Sequence, residues 1–439
     1  MMPRVALVSL GCAKNLVDSE VMLGYLEAQD YTFVSDLNQA DVIIVNTCGF
    51  IHPARKESSD AIRKAVETKK RARGTRVIVS GCYVERNQKE LEKAFPEVDA
   101  WVGVRDYDKI VSLVEGQPYT PSEQCFLYDE TSPRRISTPP GWAYVKISEG
   151  CSHECSFCAI PLIKGPYRSR TIPSIVREVE RLVNQGVQEI NLVSQDSTYY
   201  GRDKGMEDGI VRLLQALVDI PDLGWVRLLY SYPEEVTDAL LEIMQEEKIC
   251  SYLDIPFQHS HPRIIKKMRR GMDGKRALKL LEKIRKRLPD AAVRTSLVVG
   301  FPGESRTEFE DLVHFVQEAR FDHLGVFTYS LEAGTPSAPL GDPVKRSVKE
   351  KRKNKIMEIQ AGVAYANNER YLGKKLEVLV EGTLKQDPLS LVGRSRFQAP
   401  EVDGIVFIPV SEVRPEVFNS VQLVEITDRE VYDLYGRLV

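Results

Sequence analysis

The chain has 439 residues, a formal net charge of −3, and 43% hydrophobic and 28% charged residues. That length exceeds one average domain of roughly 100–200 residues. The near-neutral charge excludes a global electrostatic affinity for nucleic acid or an anionic membrane surface. No apolar run approaches the roughly 18 residues of a membrane span. The first ten residues read as a strand rather than a secretory leader, so a cytoplasmic location is expected. Eight cysteines in such a chain are expected to stay reduced, and any that cluster point to metal.

Residues 1–116 alternate short apolar strands at 5–10, 42–46 and 77–80 with helical patterns at 16–28, 55–69 and 88–95, which predicts a small open α/β domain. Residues 117–141 hold five prolines and little periodicity, and read as a linker. Cys125 lies in it without a sequence partner and reads as a bystander. From 142 to 370, strands are predicted at 144–148, 189–194, 226–230, 252–255, 293–299 and 324–329. Amphipathic helices separate them at 174–184, 234–246, 275–287 and 308–320. Six such units are too few for a closed eight-stranded barrel of about 250 residues, so a partial (β/α)6 barrel is expected. A basic helix over 345–369 leads into residues 371–439, with strands at 375–381, 390–399, 404–409 and 421–427. This last part reads as a small β-barrel of the oligonucleotide-fold type.

Cys151, Cys155 and Cys158 supply three thiolates in one tight loop. Structural zinc normally takes four protein ligands, and a four-iron cluster is usually held by four cysteines. Three leave one iron position open to something other than protein. A small zinc loop or buried thiols is the plainer alternative. Cys12, Cys48 and Cys82 each follow a predicted parallel strand and adjoin Gly11, Gly49 and Gly81. The carboxyl edge of an open sheet is where ligands bind, and strands about 4.8 Å apart can bring three such sulfurs together. Three unrelated buried thiols is the alternative here. Cys250, near the start of the fourth core strand, reads as core. No Walker A loop and no GxGxxG after a strand occurs, which argues against nucleotide hydrolysis and dinucleotide redox chemistry.

With these residues in view, the chain resembles the methylthiotransferase branch of the radical S-adenosylmethionine (SAM) superfamily over essentially its whole length. The run Ser9-Leu10-Gly11-Cys12-Ala13-Lys14-Asn15-Leu16-Val17-Asp18-Ser19-Glu20 resembles the RimO type, which methylthiolates an aspartate of small-subunit ribosomal protein twelve. Transfer-RNA-modifying relatives tend to carry Gln-Met-Asn where this chain has Ala13-Lys14-Asn15. Pro161, Lys164-Gly165 and Arg168-Ser169-Arg170 follow the cysteine loop as they do in this family.

The resemblance implies a radical SAM 4Fe-4S cluster at Cys151, Cys155 and Cys158, and an auxiliary 4Fe-4S cluster at Cys12, Cys48 and Cys82. It implies a TRAM-type barrel at the C-terminus. It further implies SAM contacts among residues at strand ends and beside the cluster loop: Phe157, Gln195, Asp196, Gln258, Arg294 and Gly300. For several of these the plainer alternative is structural, such as packing for Phe157, a simple turn over 300–303 and a hydrogen-bonding role for His259. The implied reaction uses one SAM for a 5′-deoxyadenosyl radical that takes hydrogen from the aspartate β-carbon, and a second SAM as methyl donor. No side chain is assigned a catalytic role, since the radical chemistry is the cofactor's. The implied partners are the ribosomal protein, a reductant such as flavodoxin or ferredoxin, and a sulfur donor, with no membrane and no transfer RNA. Methylthiolation of a transfer-RNA adenosine is one alternative, and a non-enzymatic iron–sulfur electron-transfer or scaffold protein is another. Residues 371–439 carry 8 Lys and Arg against 11 Asp and Glu, which suits a basic protein partner better than a phosphate backbone. The run Lys345-Arg346, Lys349 and Lys351-Arg352-Lys353 reads either as a ribosomal RNA contact or as the exposed face of a connecting helix.

Overall fold

The computed structural model describes residues 3–71 and 74–439. The chain forms two compact units, the first made of Met1–Ser137, Lys146–Ile175 and Ser330–Ala338, the second of Thr138–Val145, Val176–Tyr329 and Pro339–Val439.

The first unit is built on β1 (Arg4–Ser9), α1 (Ala13–Glu27), β2 (Thr32–Phe33), β3 (Val42–Thr47), α2 (His52–Arg71), β4 (Arg76–Gly81), α3 (Cys82–Ala94), β5 (Ala100–Val102) and α4 (Ile110–Glu115). The strands form one parallel sheet in the order β2-β1-β3-β4-β5. All six residues of β3 are buried, as expected for a central parallel strand covered on both faces. Val42 and Ile44 join one core with Val5, Ile78, Met22 and Leu26. Ile43 and Val45 join another with Ala6, Val77, Val79 and Ile62. The period-2 alternation of side chains divides them in this way. Each such aliphatic side chain contributes about 1.5–3 kcal/mol on burial. Helix α3 starts six residues ahead of the expected position. Asn87 has non-helical angles (φ −134°, ψ 27°), so the pattern expected at 88–95 is the part beyond a kink. Residues of the expected linker are packed here: Cys125 and Tyr128 are buried, and the Tyr128 hydroxyl accepts the Lys146 N–H at 3.1 Å.

The chain continues through β6 (Trp142–Lys146), β7 (Ser148–Glu149), α5 (Ile160–Lys164), β8 (Arg168–Ser169) and α6 (Ile172–Asn184). The second unit then adds β9 (Glu189–Val193), α7 (Gly209–Val218), β10 (Trp225–Leu228), α8 (Asp238–Ile243), β11 (Tyr252–Asp254), α9 (Pro262–Lys267), α10 (Gly274–Arg287), β12 (Ala292–Val299), α11 (Arg306–Ala319), β13 (His323–Thr328) and α12 (Arg346–Asn368). Strands β6, β9 and β10 form one sheet and β11, β12 and β13 another. A parallel bridge between Val226 and Ile249 links the two. The six strands run as an open arc, which is the partial barrel expected from the unit count.

The last elements are β14 (Lys375–Thr383), β15 (Ser390–Ser395), β16 (Val406–Pro409), β17 (Val421–Arg429) and β18 (Leu434–Leu438), in a closed barrel of order β14-β15-β16-β18-β17. Alternate residues Val378 and Val380, Val406 and Ile408, Val424 and Ile426 fill its interior, the inward half of each strand's period. The sequence pattern missed β18. Its five residues include Gly436 and two exposed positions, and it becomes a strand by pairing with both β16 and β17.

Candidate functional site

In the first unit β1, β3 and β4 are neighbours, and a cysteine follows the carboxyl end of each. Cys12 is the N-cap of α1, its carbonyl accepting from Asn15 at 2.9 Å and Leu16 at 3.0 Å, while its sulfur caps no backbone N–H. Cys48 comes directly after β3, and Cys82 is the first residue of α3. Two of the three sulfurs thus stand at helix N-termini, where unsatisfied N–H groups and the positive dipole end favour thiolates.

The glycines beside them leave no volume for a side chain. A Cβ on Gly11 (φ +96°) would stand 2.9 Å from Cys48 Cβ and 3.1 Å from its sulfur. One on Gly49 would lie 2.6 Å from the Cys82 carbonyl, and one on Gly81 (φ +101°) 2.5 Å from the Thr47 carbonyl. Burial pushes the Cys48 thiol up, and the charge of Cys12 adds to it. Burial also pushes Cys82 up strongly, with Lys164 opposing and Cys12 and Cys48 adding. Cys12 is exposed and Cys48 and Cys82 are half-buried; a bound cationic centre would offset the upward push on the last two, and an all-sulfur donor set suits iron–sulfur chemistry. Among the described residues no three Cys, His, Asp or Glu side chains converge tightly enough for a single metal ion. Around the triad, Asn15 Oδ1, Asn46 Oδ1 and Ser80 Oγ are buried without a hydrogen-bond partner among the described residues.

The second cysteine set lies in the loop between β7 and α5, in the same unit. Cys151 N–H donates to the Gly165 carbonyl at 3.0 Å and Cys158 N–H to Cys155 at 3.1 Å. Gly150 (φ +79°) is required because any Cβ there would collide with the Pro166 carbonyl. Cys151 is buried, whereas Cys155, Phe157 and Cys158 are half-buried. The loop therefore presents thiol groups held by backbone bonds, and its donors also fit an iron–sulfur group.

Beneath this loop lies an ion tetrad that sequence reasoning missed. Lys146 Nζ meets Asp18 and, at 2.8 Å, Glu149; Lys164 Nζ lies 3.1 Å from Asp18 and 3.3 Å from Glu149. All four side chains are at most 3% exposed. Burial pushes the Glu149 carboxyl up, but Lys146 and Lys164 outweigh it and hold its pKa at about 2. Burial likewise lowers both lysines, and Asp18 and Glu149 more than offset this. The neighbouring motif residues are also structural: Ser19 accepts from Asn46 at 2.8 Å, and Glu20 is paired with Arg134 at 2.6 Å. The available signal was a charged residue on an apolar strand or helix face, at Lys146 and Asp18.

In the second unit, Asp196 follows β9 and accepts from the backbone of Thr198 at 2.9 Å and Tyr199 at 3.3 Å. Gln195 beside it is half-buried. Gln258 adopts φ +70°, an unusual region for a non-glycine residue, and bonds β12 through Ser296 at 2.9 Å and Val298 at 2.7 Å. Gly300 (φ +75°) has no room for a Cβ because the Lys349 stem lies against it. Arg294 is the third residue of β12, towards the end opposite Gly300, and lies 3.3 Å from both Asp254 and Asp403. Burial lowers the His259 pKa to about 3, so the ring is neutral, with Nδ1 accepting from His261 at 3.0 Å. Cys250 is fully buried. Asn191, in the middle of β9, was not singled out by sequence. It is fully buried, and neither polar atom of its amide has a partner among the described residues. Buried polar groups are nearly always hydrogen-bonded, so this amide is an exception.

Three family models match the chain: the uncharacterized protein family UPF0004 over residues 4–103, the radical SAM superfamily over 145–316 and the TRAM domain over 372–439. The ribosomal protein uS12 methylthiotransferase RimO of Pelobacter propionicus is 46% identical, covering 99% of this chain and 98% of that protein. The chain belongs to the RimO family. The RimO of Aquifex aeolicus is likewise 46% identical, with 99% and 97% covered. Among solved structures, the radical SAM methyltransferase TsrM from Kitasatospora setae, with cobalamin and a 4Fe-4S cluster bound, has a TM-score of 0.57 at 14% identity. That match covers 77% of this chain and 74% of the other, and it shows a shared fold. The expected architecture of open α/β domain, partial radical SAM barrel and TRAM barrel is thus the architecture of this RimO family member. Radical SAM membership brings with it an iron–sulfur cluster and SAM. Among the described residues no helix is long and apolar enough to cross a membrane.

Proposed function

We propose that the protein methylthiolates the β-carbon of an aspartate in small-subunit ribosomal protein uS12, the substrate named for its RimO relatives. The observation that carries this reading is the pair of three-cysteine sets within one compact unit of a RimO-family chain. When bound, a 4Fe-4S cluster at Cys151, Cys155 and Cys158 supplies the electron that cleaves SAM, and a second at Cys12, Cys48 and Cys82 supplies a site for the transferred sulfur. The protein's own part is binding and orientation. Each cysteine set offers three thiolates and leaves one position for a non-protein ligand. Gly11, Gly49 and Gly81 keep side chains out of the first set, and the charge-balanced tetrad of Lys146, Lys164, Asp18 and Glu149 anchors both ends of the second loop. Within the second unit, Gln195, Gln258 and Gly300 are the proposed contacts to SAM. Asp196 shapes the turn after β9, and Arg294 holds β12 to β11 through Asp254. A reductant of the flavodoxin or ferredoxin class and a sulfur source complete the reaction, in the cytoplasm where ribosomal proteins are made.

The test separates the two sets. Changing Cys151, Cys155 and Cys158 together to Ala is expected to remove about half the iron and abolish SAM cleavage; survival of both would overturn the role of that loop. Changing Cys12, Cys48 and Cys82 to Ala is expected to spare 5′-deoxyadenosine formation and stop methylthio transfer. An electron-transfer or scaffold protein would cleave no SAM in either case.

A further inference from the structure

We propose that Glu332 is a positioning residue that fixes the loop carrying Cys48 against the loop carrying Cys155 and Cys158. The inference rests on the two-cluster reading above. Glu332 lies in Ser330–Ala338, the short segment after β13 that belongs to the first unit. Its side chain is 1% exposed. Oε2 pairs with Arg55 of α2 and, at 2.6 Å, with Arg86 of α3. Oε1 accepts from the His52 N–H at 3.1 Å and from Ser330 Oγ at 2.7 Å. Arg86 also donates to the Gly49 carbonyl at 3.0 Å and to Ala333 at 3.1 Å. One carboxylate therefore gathers the start of the helix after Cys48, the backbone beside Cys48, and the helix that begins at Cys82.

The other end of the segment holds the second loop. Ser337 N–H donates to the Ser156 carbonyl at 2.7 Å, between Cys155 and Cys158. Thr335 folds the intervening residues into a turn, its hydroxyl donating to the Glu332 carbonyl at 2.7 Å. Ser156, Thr335 and Ser337 are all buried. Four residues lie between the anchors Glu332 and Ser337, and these five Cα steps cap their distance at about 18 Å even when fully extended. Apolar burial does not hold this strap, since Leu331 is 43% exposed. Directional polar contacts do, and these specify register more tightly than apolar packing. Two guanidinium groups on one desolvated carboxylate are a costly way to gain stability alone.

The chemical need for such a strap follows from the reaction. The group that takes hydrogen and the group that delivers sulfur must reach one substrate carbon, and a misplacement of about 1 Å costs on the order of 100-fold in rate. Glu332 would act through the two loops and touch neither substrate nor cofactor.

The experiment uses the full chain, with clusters reconstituted anaerobically, as wild type, as Glu332→Gln, and as the conservative Glu332→Asp. Iron content, 5′-deoxyadenosine formation, methylthiolated product per 5′-deoxyadenosine, and the spacing of the two reduced clusters from pulsed EPR are read together. Glu332→Gln is expected to keep its iron and its 5′-deoxyadenosine, to lose about tenfold in product per 5′-deoxyadenosine, and to broaden the distribution of spacings. Glu332→Asp, which keeps a carboxylate between the two guanidinium groups, is expected to retain part of both the ratio and the narrow spacing, and a ratio as low as that of Glu332→Gln with unchanged spacing would overturn the proposal. Unchanged ratio and spacing in a fully loaded Glu332→Gln protein would overturn the proposal. Should that variant not fold, Arg86→Lys, which keeps the charge and loses the fork, must show the same fall in ratio, and an unchanged ratio there overturns it as well. A wild type with only half the iron would instead sink the two-cluster reading.

Discussion

Lys146 is a strand residue with no exposed surface, and its ammonium is tolerable there only because Asp18 and Glu149 meet it. Removing one member of a buried ion network leaves an uncompensated charge and costs about 3–5 kcal/mol. Lys164→Met is therefore expected to destabilise the protein by that order, read as a lower urea midpoint at unchanged slope. A shift below about 1 kcal/mol would mean that the tetrad carries no such burden. The cysteines of both sets were legible from spacing and from their adjacency to glycine. The tetrad was not, because Asp18 and Lys146 lie 128 residues apart, and no local period links them. Exposure also orders the thiols. Cys12 is exposed and Cys151 is buried, so iodoacetamide mapping of the metal-free protein is expected to label Cys12 at least tenfold faster. Equal rates would contradict the described packing.

At the scale of elements, helix α11 starts with a reciprocal cap in which Ser305 and Glu308 bond each other's backbone N–H. Burial alone pushes the Glu308 carboxyl up, but hydrogen bonds from Ser305 and Arg263 outweigh it and hold its pKa at about 2. A carboxyl depressed in the folded state adds stability above its unfolded pKa, and that stability is lost as pH falls through the folded value. The loss attributable to Glu308 therefore runs from about pH 4.5 down to about pH 2. Glu308→Gln is expected to flatten that acid limb in a pH series of denaturation curves; an unchanged limb would assign the dependence elsewhere. The TRAM barrel is anchored by another buried charge. Glu189, the first residue of β9, lies 2.9 Å from Arg227 and 2.6 Å from Arg394 of β15, and all three side chains are at most 2% exposed. Glu189→Gln leaves Arg227 without a carboxylate and Arg394 with Glu381 alone, and is expected to loosen the barrel, detected as faster proteolytic release of residues 371–439. The barrel itself was legible from alternating apolar residues, while its closing strand β18 was not.

For the molecule as a whole, composition agrees with the ribosomal-protein substrate proposed above. The acidic barrel segment favours a basic protein partner, and the basic run on α12 weakens as a counterargument. Lys349 is buried and reaches Asp342 and the Tyr329 carbonyl, and Arg352 pairs with Glu304 at 2.8 Å. Two of the run's six cations are thus engaged within the fold, while Lys345, Arg346 and Lys351 are exposed. Cells lacking this gene are expected to lose the methylthio group of the uS12 aspartate while their transfer-RNA nucleosides stay unchanged; the reverse result would reassign the substrate. The amino-acid sequence by itself determined the strand and helix order, the cysteine spacings and the α/β-then-barrel plan. These are local: alternation, period and spacing are written within a few consecutive residues. Only the tertiary structure decided that β1, β3 and β4 stand side by side, that four charges share one buried site under the cysteine loop, and that Glu332 gathers two helices. Partners hundreds of residues apart leave no periodic trace, and desolvation, which makes their pairing matter, exists only after the chain has folded around them.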